Sequence, residues 1–233
     1  MLSIHTIPKE QIWHKAADLL IARVKSYRSL RKKVLILLSG GSSVHLYPII
    51  AKHINSYPHY WKTITFAQVD ERFRPRDQNE INAKIILKTT LPEVLHNHRI
   101  PVHFISQQGT LKNSSTLYNQ TLSKLFRDCE IKLAVLGVGE DCHTAGLLPG
   151  YQNKWNAKNY VAGYRNAGKF KQRITITPKA IAEINYALVV AKGEEKRKAL
   201  EDLLNKSNLS NINLFPALLI HTITTVEILI TIK

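Results

Sequence analysis

Residues 131–150 read IKLAVLGVGEDCHTAGLLPG. From Leu133 to Val138 no polar side chain interrupts the run, and then Glu140, Asp141 and His143 arrive within four residues of one another. A strand with one wet face alternates apolar and polar residues; a continuous apolar run of this length marks a strand covered on both faces, as in parallel sheets of α/β proteins. Residues 33–39, KVLILLS, have the same character. Outward from these two runs, apolar segments and helical patterns alternate. A helix is predicted from Ile12 through Val24, and further strands at 63–70 (TITFAQVD), 100–106 (IPVHFIS), 173–178 (RITITP), 184–193 (INYALVVAKG) and 225–232 (TVEILITI). Helical patterns fall at NEINAKIILKTTL, TLKNSSTLYNQTLSKLF and EEKRKALEDLLNK (194–206). Strands alternating with helices imply βαβ units. The chain therefore reads as one doubly wound, Rossmann-like α/β domain over 1–233, a mostly parallel sheet with helices on both faces. Ligands of such sheets bind at the carboxyl ends of the strands.

Composition sets the outer bounds. The chain has 233 residues, 44% hydrophobic and 21% charged, which is ordinary for a globular fold. No window of about eighteen apolar residues exists, so no membrane helix is expected. The start, MLSIHTIPKEQIWHKAADLL, lacks a basic segment followed by an apolar one and reads as the fold itself. Two cysteines, Cys129 and Cys142, are too few for a disulfide framework, and a reducing cytoplasm is the expected compartment. Lysine and arginine number 33 against 17 acids, a formal charge of +16. Such a balance favours anionic partners. The basic residues are scattered, however; the densest group, RVKSYRSLRKK (23–33), closes a predicted helix. No RGG tract, zinc finger or basic arm is present, so the charge is read as a solvated surface, with no nucleic acid or membrane as partner.

Three strand ends carry candidate chemistry. At 37–47, LLSGGSSVHLY, a strand gives way to glycines and serines and then to a helical pattern. Glycine backbone can approach a ligand closely, and free N–H groups at a helix start suit a phosphate. A plain strand–helix turn with a serine cap explains the same letters. At 66–82, FAQVDERFRPRDQNEIN, Asp70, Glu71 and Arg72 stand where a strand stops. An arginine beside an acid can set its ionisation, or grip an anion with its planar fork. In the third, Asp141 and His143 follow a buried strand, and an imidazole oriented by a carboxylate suits general acid–base work. Any one of these is weak; all three on one sheet edge reinforce one another.

Taken together, LSGGSS…LY, VDERF…N and LGVGEDCHTAGLLPG resemble the glucosamine-6-phosphate isomerase/6-phosphogluconolactonase family in order and spacing, over nearly the whole chain. The Asp-x-His-Thr-Ala…Pro-Gly form points to the lactonase branch. The resemblance implies a cofactor-free and metal-free hydrolysis of a small phosphorylated sugar lactone, 6-phospho-D-glucono-1,5-lactone, to 6-phosphogluconate. It implies His143 as general base, Asp141 as its orienting partner, and Asp70 and Arg72 as pocket residues. It also implies Gly40, Gly41, Ser42 and Ser43 as the phosphate cradle, with Arg173 and Lys196 as further basic contacts. The expected assembly is a monomer or weak homodimer. The alternatives are an amino-sugar-phosphate deaminase or isomerase with Asp70 as base, and a non-catalytic sugar-phosphate binder. The chain departs from the family's pattern at Cys142, where a glycine is usual, and at Gly146, where a serine is usual. If position 142 needs a left-handed backbone, a cysteine there is strained and could crowd the pocket.

Overall fold

The computed structural model describes residues 1–150, 155 and 158–231. In chain order the elements are β1 (Leu2–Ile7), α1 (Ile12–Ser29), β2 (Val34–Leu38), α2 (Tyr47–Ser56), β3 (Ile64–Gln68), β4 (Asp70–Arg72), α3 (Asn82–Leu87), α4 (Leu91–Asn97), β5 (Val102–His103), α5 (Leu111–Asp128), β6 (Ile131–Leu136), β7 (Val161–Arg165), β8 (Gln172–Ile176), α6 (Pro178–Ala182), β9 (Tyr186–Ala191), α7 (Arg197–Leu204) and β10 (Thr225–Thr231). Seven strands form one parallel sheet in the order β1-β10-β9-β6-β2-β3-β5.

The unbroken apolar runs are explained by two separate cores. Successive side chains of a strand point to opposite faces. In β2, Leu35 and Leu37 enter one core while Val34, Ile36 and Leu38 enter the other; in β6, Ala134 and Leu136 oppose Leu133 and Val135. Helices α1, α2 and α4 cover the second face, for which α1 supplies Ile12, Ala16, Leu20 and Val24 at helical spacing. The first face is covered by α5, α6 and α7 through Leu122, Ile181 and Leu203, among others. Thr110 and Thr177 cap α5 and α6 by accepting from the N–H groups of Asn113 and Ala180.

From β2 the chain winds outward to β3 and β5; from β6 it winds the other way to β9 and β10. The order therefore reverses between β2 and β6. That switch point is where an open α/β sheet leaves a crevice at its carboxyl edge.

Several boundaries differ from the sequence reading. The segment 63–70 is not one strand: β3 ends at Gln68, and Asp70 opens β4 in a second sheet of order β4-β8-β7, antiparallel throughout. The run 173–178 joins that small sheet as β8 and takes no place in the parallel one. The 100–106 run pairs only over two residues. The Gly-Ser stretch forms a 3-10 turn over Gly41–Leu46, and the α-helix starts at Tyr47. The exposed edge strand β1 and the strand β7 carry no apolar run and were not expected. Ile232, at the end of the expected last strand, lies outside the described residues.

Candidate active site

A cavity of about 360 Å³ opens at the switch point. Its walls bring together nine of the ten residues singled out from sequence: Gly40, Gly41, Ser42 and Ser43 after β2, Asp70 and Arg72 on β4, His143 after β6, Arg173 on β8, and Lys196 ahead of α7. Asp141, the tenth, stands behind the wall and reaches the site through His143.

The loop after β6 is folded tightly around that pair. Its backbone is pinned by Gly139 N–H to His143 O at 2.8 Å and by Cys142 N–H to Gly139 O at 3.0 Å. The Asp141 carboxylate then meets His143 Nδ1 at 2.5 Å and accepts from the His143 backbone N–H at 3.2 Å. Binding one ring nitrogen to a carboxylate fixes the ring and leaves Nε2 for the cavity. The hydrogen bond to His143 holds the Asp141 carboxyl below the ordinary aspartate range. Glycine at 139 leaves room for the ring where it stands: a Cβ there would lie 2.0 Å from His143 Nδ1, so a side chain at this position must displace the imidazole.

The opposite wall is cationic. In the small sheet Arg72 and Arg173 are direct cross-strand partners. Like charges so placed repel, and two features separate them. Asp70 is buried and lies 3.7 Å from Arg173. Phe170, in the hairpin before β8, has the Arg72 guanidinium 4.2 Å and the Arg173 guanidinium 5.4 Å from its ring centre, within cation–π range. Arg72 also donates to the Glu80 carbonyl at 2.7 Å. Burial pushes the Asp70 carboxyl upward, against the pull of Arg173, His143 and Arg72. Burial, and then the neighbouring Arg173, pull the Arg72 guanidinium down.

Glu71 turns away from the cavity and anchors it. Its two oxygens accept from the backbone N–H groups of Arg72 (2.7 Å), Asn82 (2.6 Å) and Ala83 (2.7 Å) and from Gln68 Nε2 (3.1 Å). Burial pushes this carboxyl up to about 7 in spite of the four donors. Asn82, held in this way, donates through its side chain to the Asp70 carbonyl and packs on Gly40, where a Cβ would lie 2.3 Å from its oxygen. The Gly-Ser turn is tied down too: Ser39 donates to the Val135 carbonyl at 2.7 Å, and the Tyr47 hydroxyl donates to the Ser39 carbonyl.

The match with known proteins follows this geometry. The family model described as glucosamine-6-phosphate isomerases/6-phosphogluconolactonase covers residues 8–228. The chain belongs to this family. Its relatives include the 6-phosphogluconolactonase of Xylella fastidiosa strain Temecula1, 31% identical over 183 residues, 75% of this chain and 73% of that protein. The crystal structure of the Thermotoga maritima 6-phosphogluconolactonase matches with a TM-score of 0.77 at 22% identity, covering 100% of both chains. That of Shewanella baltica matches with 0.80 at 18% identity, covering 100% of this chain and 97% of that one. A monomeric glucosamine-6-phosphate deaminase shares the fold at 0.68 and 18% identity, covering 99% and 96%.

Two departures from the family's pattern now have a physical reading. Cys142 does adopt a left-handed backbone, φ 60. It does not crowd the pocket: its Sγ points to the Ala199 carbonyl at 3.5 Å on α7, and the side chain is buried. Burial pushes this thiol up to about 11. At Gly146 a Cβ would lie 2.8 Å from that of Thr175 and 3.3 Å from that of Asp70, so the space a serine needs is filled by β8 and β4. Sequence reasoning missed Lys192 and Phe170 on the cavity wall. Lys192 directly follows β9, and the carboxyl-edge rule was enough to find it. Phe170 comes from a hairpin that no pattern announced.

Proposed function

We propose that the chain hydrolyses 6-phospho-D-glucono-1,5-lactone to 6-phosphogluconate, the lactonase step of the oxidative pentose phosphate pathway. The observation that carries this reading is the His143–Asp141 pair, with one imidazole nitrogen held and the other left to a cationic cavity. The names of the curated relatives support the same activity.

A lactone is an activated ester, so a positioned base and a water molecule suffice. His143 Nε2 takes a proton from water as its oxygen bonds to the lactone carbonyl carbon. Negative charge gathers on the carbonyl oxygen, and the Arg72–Arg173 wall lies ready to meet it. The tetrahedral carbon then expels the ring oxygen, which takes the proton back from His143. The new carboxylic acid ionises and releases one proton to solvent. Asp141 keeps the ring oriented and stabilises the imidazolium between the two transfers. The backbone and hydroxyls of Gly40, Gly41, Ser42 and Ser43, with Lys196, receive the 6-phosphate, and this contact fixes the ring against the base. No covalent nucleophile is needed, and the Cys142 thiol, turned to α7, takes no part. The reading places residues 1–233 as one domain, a cytoplasmic monomer or weak homodimer, acting without nucleic acid or membrane. Among the described residues, no helix is long and apolar enough to cross a membrane.

The test is proton release on adding freshly generated 6-phosphogluconolactone at neutral pH, with the spontaneous rate subtracted. His143→Ala is expected to lose about 10²–10⁴-fold in kcat, and Asp141→Asn a smaller factor. Equal release by the His143 variant would transfer the base role to Asp70. No release above background by the parent, with ammonia released from glucosamine 6-phosphate, would establish the deaminase alternative instead.

A further inference from the structure

A second cavity, of about 550 Å³, lies at the opposite end of the sheet. It opens where β2, β3 and β5 begin and where α5 ends. The five residues of β3, spanning ~16 Å, stand between it and the carboxyl edge. Nothing in the proposed hydrolysis uses it.

Its lining combines charged, apolar and threonine side chains. Lys33, Lys62 and Lys124 stand on it against the single carboxylate of Asp128, a net +2. Among the described residues, none of the three ammonium groups forms a salt bridge. The nearby Glu130 is already taken by Lys32 at 2.6 Å and by the backbone N–H of Lys33 at 3.1 Å, and Asp128 faces Arg127 at 4.0 Å. Ile64, Pro101, Leu125 and Cys129 supply apolar wall. The half-buried His103 adds a ring nitrogen; burial, and then Lys124, pull its imidazole below the usual range, so it faces the cavity uncharged at neutral pH. Lys33 is also the last residue of RVKSYRSLRKK, the basic cluster that the catalytic reading leaves without a role.

We propose that this cavity is a second ligand site, for a free phosphate monoester carrying an apolar or aromatic body. A phosphate monoester bears about −1.5 to −2 charges at pH 7, which matches the +2 of the lining. The three lysines are exposed and, among the described residues, have no ion-pair partner, so a dianion seated among them gains charge-assisted contacts that a neutral ligand cannot make. The apolar wall asks for an organic body beside the phosphate, and the volume falls within the ~300–1,000 Å³ of small-molecule sites.

The experiment follows the histidine ring resonances of the full chain by NMR during a titration with phenyl phosphate. His103→Gln assigns the reporter, and the His143 resonance reads the other cavity separately. We expect a saturable shift of His103 with Kd of about 1 mM or tighter. Lys33→Ala/Lys62→Ala/Lys124→Ala, all exposed positions, should weaken that response at least about tenfold while leaving the His143 response to the same ligand in place. Inorganic phosphate should bind at His103 about tenfold more weakly than phenyl phosphate, because it leaves the apolar wall wet. The proposal is overturned by a His103 resonance that stays fixed up to ~20 mM phenyl phosphate, or by a triple variant that binds as the parent does. Equal affinity for inorganic phosphate, or a stronger response to a single-stranded oligonucleotide, would also overturn it.

Discussion

Gly139 is the residue whose lack of a side chain bears most directly on the placement of His143, the proposed base. A methyl group at this position would fall 2.0 Å from His143 Nδ1 and 2.7 Å from Asp141 Oδ1, so the ring and the carboxylate must part. The backbone there is not left-handed, and the loop itself can accept alanine. Gly139→Ala is therefore expected to keep the fold, read by circular dichroism, and to lose about 10²-fold or more in kcat, as a misplaced base does. A variant as active as the parent would break the link between the pair and the reaction. Cys142, three residues on, gives a pH-dependent test. Its thiol is raised to about 11, so the native protein holds it protonated at pH 8 and the thiolate emerges only as pH climbs toward 11. The raised value also means that the folded state keeps its proton longer than the unfolded chain, so this group withdraws stability as pH rises from about 9 to about 11. Iodoacetamide should label native Cys142 slowly at pH 8 and progressively faster above pH 10, with rapid labelling after denaturation. Fast labelling of the native protein at pH 8 would mean an activated thiol, contrary to the buried, protonated Cys142 described above.

At the scale of elements, the site depends on how β4 and α3 are bound together. Glu71 is the joint: one carboxylate collects the N–H groups of Arg72, Asn82 and Ala83, so the strand that carries Arg72 and the helix that begins at Asn82 share one anchor. Gln68 cannot take over, because its own oxygen already accepts from the Ile105 N–H at 2.6 Å. Glu71→Ala strands three backbone donors, two of them buried, and opens a void, and should cost about 3 kcal/mol or more in urea unfolding. Whatever folded enzyme remains should show a raised KM, since Arg72 and Asn82 lose their positions. A loss confined to stability, with KM intact, would make Glu71 a structural residue only. This joint was invisible in the sequence for a definite reason. VDER reads as one strand end, yet Val69 gives its N–H to the Leu38 carbonyl on one side while its carbonyl accepts from Ile176 on the other. The chain thus passes from the parallel sheet to the antiparallel one within a residue. Periodicity marks burial, and both sheets bury this stretch, so the change of sheet leaves no trace in the pattern.

Over the whole molecule, the parallel sheet was legible because strands buried on both faces spell themselves out as apolar runs, as β2, β6 and β9 do. The small sheet was not, because β7 alternates with exposed Gly163 and Arg165 and resembles loop. The candidate site was legible in most of its parts, since the Gly-Ser turn and the Asp141–His143 loop lie just past such runs; Arg173, near the start of β8, does not. The pairing of Arg72 with Arg173 was not, since it depends on a register between segments a hundred residues apart. Net charge belongs to this scale as well. A chain of +16 presents a positive field to a phosphorylated lactone before any contact forms. Salt shortens the reach of that field, to about 10 Å at 0.1 M, so charge that only steers the substrate shows itself in the encounter and not in the chemistry. Raising ionic strength from about 0.02 to about 0.3 M should therefore lower kcat/KM for the phosphorylated lactone several-fold while kcat holds. An unphosphorylated lactone, measured in parallel, should show a flat kcat/KM. Equal salt sensitivity for both substrates would mean that salt acts on the protein itself. Insensitivity for both would mean that the surface charge is felt elsewhere, with the lysine-lined cavity at the far end of the sheet the first place to look.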